Sequence, residues 1–447
     1  MASSTPISYS FLLGRAWPII LANAAVPMLG LVDTAVIGNF GSLADLGAIA
    51  FGSLIFSFVY WSFGFLRMST TGFTAQAWGA GDQLEVRAVL GRALLIAVSL
   101  AVLLLLLQWP IAELSFALLD GSAQVEAVGR EYFFIRIWGA PATLTVFACT
   151  GLLIGQGKSR KLLLLQLLLN GLNIALDVLF AGLLNMGAAG IALGTVIAEW
   201  STVAFAFLIL FPDLRRDQQP DESFWPRARI MDPQSLLATA TANVHIMLRT
   251  LMLVFSFSFF VNQSARFGDV VLAANHILLQ MISFSAFFLD GYAFVVESLV
   301  GAAKGQGDGQ RFDLAVRRTS LLALVTAVLL ALLLWLAGDA LVALLTDIEA
   351  VRESARQMLL FAVFYVLLSF AAFQLDGIFI GVSHARQMRD AAALSLAVFI
   401  MAWWLMIGGL GVSGLWLAMI VYVVARALAL ALYYPGLRAA IGHKTGP

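Results

Sequence analysis

The chain has a single cysteine, Cys149, among 447 residues. No disulfide can close within it, and no cysteine cluster can hold zinc or an iron–sulfur group. Charge is also scarce: Asp, Glu, Lys and Arg make up 12% of the residues, about half the usual share of a soluble chain. The 26 acids balance the 26 bases, so no basic surface marks a nucleic-acid partner. The opening MASSTPISYS lacks a basic stretch followed by a short apolar core and cleavage site, and no removable signal peptide is expected. GQGKSR at 155–160 lacks the spacing of a phosphate-binding loop. There is no nucleophile constellation and no metal-ligand cluster, so the chain does not read as an enzyme, and neither a metal nor a cofactor is expected.

What the chain has in plenty is apolar sequence: 61% of residues are hydrophobic, and the mean hydropathy is +0.93. A helix crosses a bilayer with about 20 apolar residues. Twelve such segments can be placed: 10–38, 44–78, 86–109, 126–152, 162–183 and 187–212, then 234–262, 269–302, 315–337, 352–380, 388–408 and 412–436. Their periodicity is helical or uniformly apolar, which argues against a β-barrel. The prediction is an all-α integral membrane protein. The longest polar stretch, 213–233, reads as a cytoplasmic linker between a first lobe, 1–212, and a second, 234–447.

The two lobes repeat. WGAGD at 78–82 recurs as KGQGD at 304–308, LLIGQGKSR at 152–160 as IFIGVSHAR at 378–386, and ALLDGSAQV at 117–125 as ALLTDIEAV at 343–351, each shifted by 226 residues. GAAGIALG at 187–194 recurs as GVSGLWLA at 411–418, shifted by 224. An even number of spans per repeat keeps both copies the same way up. This predicts two six-helix lobes related by a pseudo-twofold axis along the membrane normal, with a cleft between them. Eighteen Lys and Arg fall on the side that holds the linker, against four on the other: Arg130, Arg266, Arg352 and Arg356. That bias places both termini in the cytoplasm of a protein in the cell's inner (plasma) membrane.

Six carboxylates interrupt the apolar runs: Asp33, Asp177, Glu199, Asp290, Glu297 and Asp376. A charge in hydrocarbon costs several kcal/mol and marks a functional site by default. Asp33 lies six residues after Pro27. Proline leaves the Asn23 carbonyl without its helical partner, so a bend is expected beside an ionisable group. The alternative is a static brace between Asp33 and Arg67. Asn173 and Asp177 are spaced i, i+4 and share a helix face with Asn170 one turn earlier. Such a polar stripe suits a proton network or a small cation, or it glues helices together. Asp290 and Glu297 are seven residues apart on one face. With Asp376 and Glu199 they are candidates for cation or substrate binding, or for pairing with Arg249 and other polar groups. Met28, Phe51, Trp61, Phe65, Met281, Phe284, Phe287 and Tyr292 are candidates to line the cleft, since flexible Met and flat rings suit promiscuous binding.

In order and spacing these runs resemble the multidrug and toxic compound extrusion (MATE) transporters. PMLGLVDTAVIG at 27–38 is similar to that family's first helix, and NGLNIALD at 170–177 with GAAGIALGT at 187–195 to its fifth and sixth. FLRMSTTGFTAQAWGAG at 65–81, FLDGYAFVVE at 288–297 and LDGIFIG at 375–381 look more narrowly like the DNA-damage-inducible F branch. The resemblance implies alternating-access efflux of small organic, often cationic compounds in exchange for protons or sodium ions. It also implies that Asp33 is the coupling aspartate. The expectation is a monomeric, proton-coupled antiporter, with a Na⁺-coupled exporter or a flippase for lipid-linked oligosaccharides as alternatives.

Overall fold

The computed structural model describes residues 6–441 except Asp120, Asp217, Gln219, Pro220 and Asp221, and it excludes the side chains of Val26, Pro27, Met28, Leu29 and Leu31. The bend expected at Pro27 rests on one of these excluded side chains. The described residues form helices and no strand. Two compact units emerge: an N-terminal unit, Leu21–Ala240, and a C-terminal unit that joins Thr241–Pro447 to Met1–Ile20.

In the N-terminal unit, α1 (Tyr9–Phe40, entering the unit at Leu21) is followed by α2 (Leu43–Ser62), α3 (Phe65–Ala80), α4 (Gln83–Leu106), α5 (Gln108–Leu118) and α6 (Ala123–Arg136). After a 3₁₀ turn, Ile137–Gly139, come α7 (Ala140–Gly155) and α8 (Ser159–Asp177), then a π-helix (Val178–Leu183), α9 (Gly187–Arg215) and the short α10 (Arg227–Ile230). The C-terminal unit is built from the start of α1 up to Ile20, α11 (Pro233–Ala265, entering the unit at Thr241), α12 (Asp269–Gln306), α13 (Gly309–Leu345), α14 (Glu349–Gly381) and α15 (Ala385–Ile441). Ten helices among the described residues are long and apolar enough to cross a membrane. The 32-residue α1 is an eleventh. Gly411, with φ 55° and ψ −130°, divides α15 and supplies the twelfth.

The repeat is visible atom by atom. Gly81 and Gly307 end α3 and α12 in the left-handed region, at φ 75° and 68°. Asp82 and Asp308 then cap the next helix, each accepting from the backbone N–H three residues on. Gly157 and Ser383 adopt one and the same turn, at φ 67° and 58°. Gly151 and Gly155 let α7 close on the backbone of α3: a Cβ on either would sit 2.5 Å from the Arg67 carbonyl oxygen or 2.7 Å from that of Thr71. Gly377 and Gly381 do the same for α14 against the carbonyls of Ala293 and Glu297, every position shifted by 226. Small residues allow this approach where no hydrophobic force drives helices together.

The copies differ in continuity. The run expected as a single span over 44–78 is one membrane-length span, Leu43–Ala80, with a turn at Phe63–Gly64 inside it, whereas the equivalent α12 is unbroken. The described residues of 213–233 do not hang free of their unit. Trp225 and Ile230 pack on Gly91 of α4, Arg87 pairs with Glu222 at 2.7 Å, and Arg229 pairs with Asp82 at 2.6 Å.

Candidate functional site

The first site lies in the N-terminal unit, where α1, α8 and α9 meet. Asp177, the last residue of α8, is fully buried, and the helix widens into its π-turn directly after it. Such turns are frequent at functional sites. Gly194 of α9 makes room for the carboxyl, since a Cβ there would stand 2.7 Å from Asp177 Oδ1. The Asp33 carboxyl of α1 lies close enough to Asp177 for each to act on the other electrostatically. Asn173 Nδ2 donates to Thr195 Oγ1 at 3.0 Å and, at 3.5 Å, to Asp177 Oδ1. Asn170 is buried one turn away. Four atoms of this stripe are buried and hydrogen-bonded to no described residue: Asp33 Oδ1, Asn170 Nδ2, Asn173 Oδ1 and Asp177 Oδ2. Three of them are acceptors, so the cluster has more lone pairs than protons to fill them. It can take up a proton, water or a small cation.

Two of the acids considered for cation or substrate binding are engaged by arginines, the pairing considered as the alternative. Glu199 gives both carboxylate oxygens to Arg136, at 2.6 and 2.9 Å. The Arg136 guanidinium is itself packed against the rings of Phe56 and Tyr60, 5.2 and 5.4 Å from their centroids. Asp376 Oδ2 accepts from both Arg249 and Arg426, the latter at 2.6 Å. Two guanidiniums on one carboxylate repel a further cation. Asp290 is partly buried and Glu297 buried, both on α12 and both engaged. Among the expected cleft residues, Phe65, Met281 and Tyr292 are core, Trp61 and Phe284 are more than half exposed, and Met28 lies outside the described side chains.

The C-terminal unit shows the same positions without acids. The shift of 226 carries Asp33, Asn173 and Asp177 onto Phe259, Phe399 and Trp403. These three residues also meet: Phe259 lies edge-to-face with Trp403 at 5.0 Å and with Phe399 at 5.7 Å. One scaffold holds a carboxyl cluster in one copy and an aromatic cluster in the other.

An internally duplicated, wholly helical membrane protein with buried carboxyls on facing helices has the build of a secondary transporter. A family model described as MatE matches residues 18–179 and again 245–405, once per repeat, and the chain belongs to that family of multidrug efflux transporters. It is therefore a transporter and not an enzyme. It is 36% identical over 416 residues to the DNA damage-inducible protein F of Escherichia coli (strain K12), covering 93% of this chain and 90% of that protein, in keeping with the expected branch. It is 25% identical to the multidrug resistance protein NorM of Vibrio cholerae, over 94% of each chain. The fold is shared with a MOP superfamily transporter from Pyrococcus furiosus, at a TM-score of 0.86 and 18% identity over 98% of this chain and 97% of that one.

Proposed function

We propose that the protein is a proton-coupled antiporter that exports small organic compounds by alternating access. The observation that carries this reading is the Asp33–Asp177 pair, two neighbouring carboxyls on different helices that act on each other electrostatically, in a stripe whose acceptors are left without protein donors. Like charges at such range favour a state in which one proton lies between them. Asn173 and Thr195 tie the pair to α9, so loading or emptying it changes what holds α1 against α8 and α9. Uptake of a proton then biases one arrangement of the helices, and release biases the other. The relatives named for multidrug resistance support organic compounds as cargo. The Lys and Arg bias supports a plasma-membrane protein with both termini inside; that it acts as a monomer is part of the proposal.

The test is efflux from proteoliposomes with H⁺ and Na⁺ gradients imposed independently. A proton gradient alone should drive saturable efflux in the wild type and fail to drive it in Asp33→Asn. Efflux driven by Na⁺ at zero proton gradient would overturn proton coupling.

A further inference from the structure

The C-terminal unit contains a second charged centre, opposite in sign to the first. Asp376 on α14 is gripped by Arg249 from α11 and Arg426 from α15, and both guanidiniums donate through Nη2 to the same carboxylate oxygen. The three side chains keep 9%, 9% and 12% of their surface accessible, so the centre is buried but not sealed. Two positive charges face one negative charge. Arginine cannot shed the excess by losing its proton. Among the described residues neither guanidinium donates to any other protein acceptor. Each carries five N–H donors, so Asp376 satisfies a small part of what the pair offers. The Tyr422 ring lies 5.8 Å from the Arg426 guanidinium, which leaves the N–H edges unbonded.

Other polar atoms on the same helices are buried and unpartnered: Asn243 Oδ1 and Thr250 Oγ1 on α11, and both amide atoms of Gln374 on α14. An uncompensated charge in a protein interior is costly to maintain. Here the excess is built from two residues that converge from different helices on one brace.

We propose that this centre binds a monovalent organic anion, a carboxylate, through the free N–H edges of Arg249 and Arg426. Asp376 serves as the brace that orients the two guanidiniums. Planar paired donors match a carboxylate better than a spherical ion. A transported compound with an acidic group, anionic or zwitterionic, would dock that group here. The site lies wholly within the C-terminal unit, and the argument for it does not depend on the coupling proposed for Asp33 and Asp177.

The experiment is equilibrium dialysis of full-length protein in nanodiscs with radiolabelled 2-naphthoate and its neutral isostere 2-naphthamide, with empty nanodiscs as the partition control. Wild type should bind naphthoate at least tenfold more tightly than the amide. Arg426→Gln should lose at least tenfold in naphthoate affinity, and Arg426→Lys, which keeps the charge but not the fork, should lose less. Asp376→Asn keeps an amide oxygen that both guanidiniums can donate to, so the brace persists while its negative charge is gone, and naphthoate should bind at least as tightly as in wild type, an outcome that a purely structural ion pair does not produce. Equal affinity for acid and amide, unchanged binding in Arg426→Gln, or a loss in Asp376→Asn as large as in Arg426→Gln would each overturn the proposal. Displacement of naphthoate by chloride, but not gluconate, at matched concentration would assign the site to small inorganic anions and overturn the organic one.

Discussion

If Asp33 and Asp177 hold one proton between them, they act as a unit, and mutating both should cost little more than mutating either. Two unit charges about 4 Å apart interact by about 4 kcal/mol at an effective dielectric of about 20. Since each 1.4 kcal/mol is about tenfold, that energy corresponds to roughly a thousandfold non-additivity in a double-mutant cycle. The cycle comprises wild type, Asp33→Asn, Asp177→Asn and the double variant. Asparagine keeps shape and hydrogen bonding while removing the titration. The assay is the initial rate of efflux driven by an imposed proton gradient, with substrate binding measured separately. Each single change should abolish most of the driven rate, and the second should add little. The aromatic copy provides the control. Phe259→Leu and Trp403→Leu break an edge-to-face contact between equivalent positions, whose coupling should be only about 1 kcal/mol and should appear in stability alone. Additive losses at positions 33 and 177 would mean two independent carboxyls and would refute the shared proton.

Gly155→Ala should destabilise the protein by about 1–3 kcal/mol in thermal denaturation, because its Cβ would lie 2.7 Å from the Thr71 carbonyl oxygen, a backbone atom that cannot step aside. Gly408→Ala, with nothing within 4 Å, should not destabilise it. Glu199→Gln leaves the Arg136 charge buried without its partner and should cost about 3–5 kcal/mol, much of which Arg136→Met in the same chain should restore; equal losses in both variants would argue against a dominant charge effect. Outside the membrane spans, the Ser235 N–H donates to Asp232 at 2.8 Å and holds that carboxyl below the usual aspartate range. A depressed folded value contributes stability above the unfolded one and loses it as pH falls. Protection of the Ser235 amide in hydrogen exchange, corrected for intrinsic rate, should therefore hold at neutral pH and decline below about pH 4; Asp232→Ala should lack this decline. In a Cys149→Ala background, cysteine at Arg266 should react with an impermeant reagent added outside intact cells and cysteine at Ser223 should not. The reverse pattern would invert the topology.

Much of the scaffold was legible because backbone geometry dictates particular residues. A left-handed helix end favours glycine, so Gly81 and Gly307 announce the repeat. Ser383, which takes the same turn as Gly157, shows that geometry can persist after its signature residue is gone. The break at Gly64 was not legible, because the run across it is apolar but for Ser62 and holds no proline. The carboxyl cluster was legible because an aspartate in hydrocarbon cannot reach water on its short side chain. Arg426 stands in an equally apolar run, but arginine can snorkel, so its burial does not follow from its position. Pairing was the least legible layer. Arg136 and Glu199 are 63 residues apart, and Arg249 and Asp376 127 apart. Only packing decides which charges meet. Thr195 went unnoticed because threonine is ordinary in membrane helices and here takes its role from the Asn173 amide beside it.

The first residues of the described chain belong to the unit completed last. Ile7 offers its carbonyl to Arg318, which lies 311 residues further along, and the Arg318 guanidinium also stands over the Tyr9 ring at 5.3 Å. A ribosome adding about 5–20 residues per second takes roughly 15–60 s to cover that distance. Through that interval the opening turns of α1 have been made but their neighbours have not. Biogenesis must therefore hold the beginning of the protein in reserve, and a ribosome stalled near residue 240 would leave the N-terminal unit made and the start of α1 still without its packing partners.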